Sequence, residues 1–246
     1  MRICQWMGLL LVAFTASAQE AHPLDSRTAK TEYSVTVRPG RPPLKIRVEI
    51  GATGKIGDAL VFKGGSSTPF QRLTSCEPDL AMELYQGDKE TVLVDHADFN
   101  FDGSEDLKLL QFYHPHLGKS IFCVYLWDEK TGRFRYEPQI PMPDPVPHPE
   151  TKTLTTHDEY FGGTSSDAVY VWSGDKVIKI AEWGLANEGG EVGKEKCPWT
   201  AWCSKRINGE MKNLVMKSTG CDDTDPEPII CTPPPTSVYS PKAQRR

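Results

Sequence analysis

Apolar and polar residues alternate over short stretches along most of this chain. "YSVTV" (Tyr33–Val37), "LKIRVEI" (Leu44–Ile50), "TVLV" (Thr91–Val94), "SIFCVYLW" (Ser120–Trp127), "AVYVW" (Ala168–Trp172) and "KVIKIAE" (Lys176–Glu182) are branched or aromatic and bounded by turn residues. That period of two predicts strands. Three hairpins follow from short connectors whose residues tolerate positive φ: one with Gly132, one with Gly174, and one with Asn208-Gly209 at its tip. No long helical stripe is present, and Pro78–Gln86 is the best candidate for two turns of helix. The pattern predicts an all-β, single meandering antiparallel domain over residues 33–220. Periodicity alone does not choose among a sandwich, a barrel and a propeller-like array.

Two segments break the alternation. Pro138 to Lys152 carries six prolines and is expected to be an extended surface connection, because each proline removes a ladder donor. Residues 221–246 form a Pro-rich tail with a basic end, expected to be mostly disordered. At the other end, Arg2, the apolar run Gly8–Phe14 and the small residues Ala16-Ser17-Ala18 are laid out as a signal peptide over residues 1–18. Residues 19–32 then read as a linker. That apolar run is far below the ~20 residues a membrane span requires. The expectation is an exported, periplasmic or secreted protein with no membrane span.

Export changes how the cysteines are read. Removing Cys4 with the signal leaves six of the seven: Cys76, Cys123, Cys197, Cys203, Cys221 and Cys231. An even count in an exported chain favours disulfides over metal thiolates. Close spacing makes Cys197–Cys203 and Cys221–Cys231 the expected local pairs. The formal charge of −5, from 28 basic and 33 acidic residues, becomes −6 when Arg2 is lost with the signal. Such a balance excludes a nucleic-acid or anionic-lipid surface and suits a cationic partner.

The densest chemistry lies in "VDHADFNFDGSEDLKLLQFY". Numbered from Asp98, oxygen side chains fall at loop positions one (Asp98), three (Asn100) and five (Asp102), Gly103 at six, Ser104 at seven and Asp106 at nine. This is the donor spacing of an EF-hand calcium loop, in which a curled backbone turns alternate side chains toward a hard cation. Position twelve is Leu109 where an EF-hand has glutamate, and the flanks read as strands rather than helices. A plain Asp-Gly turn accounts for two residues but not for the other oxygens. The loop is therefore read as a Ca2+ site between two strands, with Asp98, Asn100, Asp102, Ser104 and Asp106 as ligands.

Those residues also carry a resemblance. "DFNFDGSEDLKLL" resembles the calcium loops of FG-GAP and integrin-like β-propeller repeats, although it occurs once. Over roughly Leu44 to Leu214 the chain is similar to small exported proteins of Gram-negative bacteria that inhibit lysozyme-like effectors. Those proteins serve as immunity proteins in bacterial-killing type IV secretion. The likeness runs through the loop, "VYLWDEKTGRFRYEPQI", "PDPVPHPETKTLTT", "YVWSGDKVIKIAE" and "KRINGEMKNL" in that order. It implies a β-propeller-like domain with one structural calcium, periplasmic, that binds and blocks a peptidoglycan hydrolase. The alternative is an envelope recognition module for a glycan or another envelope protein, with Trp199 and Trp202 as the candidate binding face. Neither G-x-S-x-G nor H-E-x-x-H occurs, so no catalytic residue is expected.

Overall fold

The structure is a computed structural model that describes residues 30–51, 56–74, 76, 92–114, 119–140, 143–159, 164–187, 199–219 and 231. The signal segment, most of the linker, the helix candidate Pro78–Gln86 and nearly all of the tail lie outside the described residues. Among the described residues no helix is long and apolar enough to cross a membrane.

Among the described residues every element is a strand, and these strands form three antiparallel meanders. The first sheet holds β1 (Glu32–Val35), β2 (Leu44–Ile50), β3 (Ile56–Lys63) and β4 (Gln71–Leu73) in chain order. The second holds β5 (Val94–Ala97), β6 (Asp106–His114), β7 (Lys119–Asp128) and β8 (Arg133–Tyr136). The third is six-stranded: β9 (Val146–His148), β10 (Thr153–Glu159), β11 (Ser165–Ser173), β12 (Lys176–Asn187), β13 (Trp199–Ile207) and β14 (Glu210–Thr219). No closed sheet occurs among the described residues; each meander is open at both edges.

Burial shows how the sheets stack. In β2, Leu44, Ile46 and Val48 are buried while Lys45, Arg47 and Glu49 are exposed, as expected of a strand with one covered face. In β7, by contrast, Phe122 through Leu126 are buried in succession. Phe122 packs in the core against the first sheet, and from Cys123 onward alternate residues of that run serve different cores. Cys123 and Tyr125 join Ile46, Val61, Leu73, Leu107, Leu109 and Phe134 against the first sheet. Val124 and Leu126 join Phe99, Ile140 and Leu154, with Tyr170, Trp172 and Val177 from the third sheet packed beside them. The second sheet is thus the middle layer, covered on both faces. Its buried polar groups are satisfied accordingly: Lys108 Nζ donates to Asp144 Oδ1 at 2.5 Å and lies 4.7 Å from the centre of the Phe122 ring.

The three expected hairpins are present. Gly132 (φ 61°) closes β7–β8 and Gly174 (φ 65°) closes β11–β12. Asn208 (φ 52°) and Gly209 (φ 87°) close β13–β14 with both central residues left-handed, the requirement of a type I′ turn.

Other expectations need correction. The strand expected over Thr91–Val94 instead begins at Val94 and runs to Ala97. The Pro-rich connection is not purely extended loop: it contains β9, whose Pro147 pairs with Leu154 at the sheet edge, where a missing N–H faces no neighbour.

Among the described residues the disulfides are Cys76–Cys123 and Cys203–Cys231, with Cα separations of 6.0 and 5.6 Å. The second overturns both expected local pairs, because each would need a sulfur already used. Cys203 lies within the continuous strand that begins at Trp199, and its partner, Cys231, is remote in sequence. Cys197 and Cys221 lie outside the described residues.

Candidate metal centre

The loop from Asp98 to Glu105 joins β5 to β6 at the edge of the middle sheet, and its own side chains curl it. Asp98 accepts the Asp102 amide on Oδ1 at 3.0 Å and the Gly103 amide on Oδ2 at 2.8 Å. Asn100 Oδ1 also accepts the Asp102 amide, at 3.1 Å, while Asn100 Nδ2 donates to Asp102 Oδ2 at 3.1 Å. Asp102 Oδ1 accepts the Ser104 amide at 2.8 Å. Gly103 (φ 85°) supplies the reversal, and Phe101 is also left-handed (φ 60°), a conformation L side chains rarely adopt. Its ring is held against the core between the second and third sheets.

Asp106 lies beneath this curl, fully buried as the first residue of β6. Its Oδ2 accepts the Phe99 amide at 2.9 Å and its Oδ1 the Trp127 amide at 2.7 Å. Burial pushes its carboxyl up to about 7, the charges of Asp102 and Asp98 add to the rise, and the two amide bonds oppose it.

Each sheet contributes a tie. From the β1–β2 connection of the first sheet, Arg38 Nε donates to Ser104 Oγ at 2.8 Å, its Nη2 to the Asp102 carbonyl at 3.3 Å, and Val37 O accepts the Glu105 amide at 2.8 Å. From the third, Trp172 Nε1 donates to the Phe99 carbonyl at 2.9 Å. From the second, Trp127 holds Asp106. The spacing of the loop gave no sign of Arg38 or Trp172, because both are remote in sequence.

All five expected ligands are therefore on one loop. Asp98 and Asn100 share the Asp102 amide, Asp102 accepts that of Ser104, Ser104 is buried beside Arg38, and Asp106 supports the loop from below. Among the described residues no three His, Cys, Asp or Glu side chains converge as a metal-holding group. Backbone N–H dipoles and the Arg38 guanidinium, 3.8 Å from Asp102 Oδ1, offset the carboxylate charges instead. The donor set is all oxygen, which suits a hard cation such as calcium rather than zinc or copper.

The two tryptophans of the expected binding face lie on β13. Trp202 is half-buried opposite Gly184, and a Cβ on that glycine would come within 2.7 Å of its indole. Its ring fills the space over a residue with no side chain, a packing role. Trp199 begins β13. A groove of about 460 Å³ opens near the loop, between the first and second sheets, lined by Val37, Pro42, Pro43, Leu44 and Trp127.

Fold and site define a disulfide-bonded, all-β protein built from stacked antiparallel meanders around an acidic loop. No protein-family model matches the chain, and no curated protein is similar enough to match. Among solved structures the chain is similar to one described as "Structure of a Xanthomonas Type IV Secretion System related protein". The TM-score is 0.45 and the identity 13%, covering 78% of this chain and 98% of that one. A likeness that remote defines neither the fold nor the function of this chain.

Proposed function

We propose that this protein works in the periplasm by binding, and that its target is a peptidoglycan hydrolase of the lysozyme-like class, which it blocks as an inhibitor or immunity protein. The observation that carries the reading is the Asp98–Asp106 loop, tied to all three sheets at once by Arg38, Trp127 and Trp172. A cation held there would fasten the three layers together, with Asp98, Asn100, Asp102, Ser104 and Asp106 as its holders. Bound Ca2+ would supply positive charge and rigidity, not chemistry on a substrate. The three stacked meanders would then act as blades of a propeller-like scaffold. The ordered motifs from Leu44 to Leu214 support the choice of target. The acidic balance, 33 carboxylates against 28 cations, suits a cationic hydrolase and would speed encounter with it. Two disulfides fit the oxidising compartment in which such a partner acts.

The test is a cell-wall lysis assay over a panel of lysozyme-like hydrolases, combined with capture from envelope and effector extracts. Dose-dependent loss of lysis, with capture of the inhibited enzyme, is expected. Unchanged lysis across the panel contradicts the reading, and capture of glycan or of a non-enzymatic envelope protein replaces it with the recognition-module alternative.

A further inference from the structure

The groove between the first and second sheets has a volume of about 460 Å³, the size of a site that takes a small ligand or a few side chains of a partner. It opens where the β1–β2 connection, the end of β3 and the β7–β8 hairpin meet, and Val37, Pro42, Pro43, Leu44 and Trp127 make its wall mainly apolar. Two of its charged side chains are committed to each other. Arg41 Nη2 lies 2.5 Å from Glu129 Oε1, and Glu129 Oε2 also accepts the Trp127 indole N–H at 2.7 Å.

Lys63 is different. As the last residue of β3 it holds its Nζ 4.4 Å from the centre of the Phe70 ring. The guanidinium of Arg133, the first residue of β8 and next to the lining residue Gly132, lies 5.9 Å from the same centre. Phe70 is itself fixed, since its amide donates to the Val61 carbonyl at 2.9 Å and it packs against the core shared with the first sheet. Both cations are exposed, and among the described residues neither lies within ion-pair distance of a carboxylate. Asp128, opposite Arg133 in the ladder, accepts the Lys130 amide on Oδ1 at 2.9 Å. The ring attracts each cation but leaves their mutual repulsion in place. An anion relieves it.

We propose that this groove docks a peptide segment of a protein partner in which apolar side chains are flanked by acidic residues. The apolar side chains fill the groove against Trp127, Pro42 and Pro43, and the flanking carboxylates pair with Lys63 and Arg133. Arg133 offers a planar fork that matches a carboxylate, and Lys63 a point charge. Apolar burial supplies affinity, while the charges set orientation and speed encounter. The wall favours peptide over glycan. Sugar hydroxyls need many hydrogen-bond partners, and Arg41 and Glu129 already satisfy each other. The assignment rests on the groove and its cations alone, and it is independent of the acidic loop and of which enzyme the protein blocks.

Titration of 15N-labelled protein with acetylated hexapeptides tests it, read at the Trp127 indole N–H. The probes are Glu-Glu-Leu-Leu-Glu-Glu, its Gln-for-Glu, Ala-for-Leu and Lys-for-Glu counterparts, and N-acetylmuramic acid as an anionic sugar. The acidic apolar peptide is expected to shift the Trp127 signal saturably. The Gln-for-Glu and Ala-for-Leu versions should bind about tenfold more weakly or worse, the first by loss of two exposed ion pairs. Lys63→Glu/Arg133→Glu, two exposed substitutions, should weaken the acidic peptide by about tenfold or more. The same double variant should gain affinity for the Lys-for-Glu peptide at an unchanged thermal midpoint, which separates lost recognition from lost folding. No saturable shift at millimolar acidic peptide, equal binding by the Gln-for-Glu or Ala-for-Leu peptide, or unchanged binding by the double variant overturns the proposal. Tighter binding of N-acetylmuramic acid than of the acidic peptide also overturns it, in favour of a glycan.

Discussion

Replacing Asp106 by alanine separates the two roles of the acidic loop, holding a cation and holding the backbone. The fully buried carboxylate accepts the Phe99 amide at 2.9 Å and the Trp127 amide at 2.7 Å. Orphaning a buried donor costs about 1–3 kcal/mol, so Asp106→Ala should lose about 2–6 kcal/mol even without calcium. The loss should depend on pH in a defined direction. Asp106 titrates at about 7 in the folded chain against an ordinary 3.8. The unfolded chain releases the proton near pH 4, whereas the folded chain keeps it until about pH 7. Wild-type stability from this group is therefore fully present below pH 4 and is lost as pH rises toward 7, by at most about 1.4 kcal/mol per pH unit. The variant lacks this slope. Urea unfolding followed by tryptophan fluorescence in EDTA should thus show a larger deficit at pH 5 than at pH 8. A deficit under about 1 kcal/mol at pH 5, or one that does not change between these pH values, refutes the reasoning.

Three further outcomes are expected. EDTA should lower the thermal midpoint and excess calcium restore it, since an ion at 100 times its Kd stabilises by about 2.7 kcal/mol; Asp102→Ala should remove the response in the same scan. Gly184→Ala should destabilise by about 1–3 kcal/mol or more in denaturant unfolding, because its Cβ would collide with the Ser165 carbonyl and meet the Trp202 ring at 2.7 Å. Gln71→Ala should cost about 1–3 kcal/mol in the same assay, because its amide both donates to Phe134 O at 2.6 Å and accepts from Phe134 N at 3.0 Å, tying the first sheet to the second.

Local features were legible in the sequence, and features set by distant residues were not. The bounds of β2 follow directly from the alternation Leu44-Lys45-Ile46-Arg47-Val48, and the Asn208-Gly209 turn from its tolerance of positive φ. β6 was harder to read, because Asp106 through Gln111 are buried in succession, polar residues included. A strand covered on both faces loses its alternation. Pro147 marked its segment as loop, yet proline is compatible with the outer strand of a sheet. The Cys203–Cys231 bond joins residues 28 positions apart, a pairing that nearness in sequence does not point to. The acidic loop was legible as a set of oxygens. Its connection to all three sheets was not, since Arg38 and Trp172 are 66 and 73 residues from the atoms they hold.

The most direct measurement is calorimetric titration of calcium into EDTA-stripped wild-type protein and the Asp102→Ala variant. The account predicts saturable uptake of one ion per wild-type chain and none by the variant. No uptake at millimolar calcium, or equal uptake by both proteins, contradicts it.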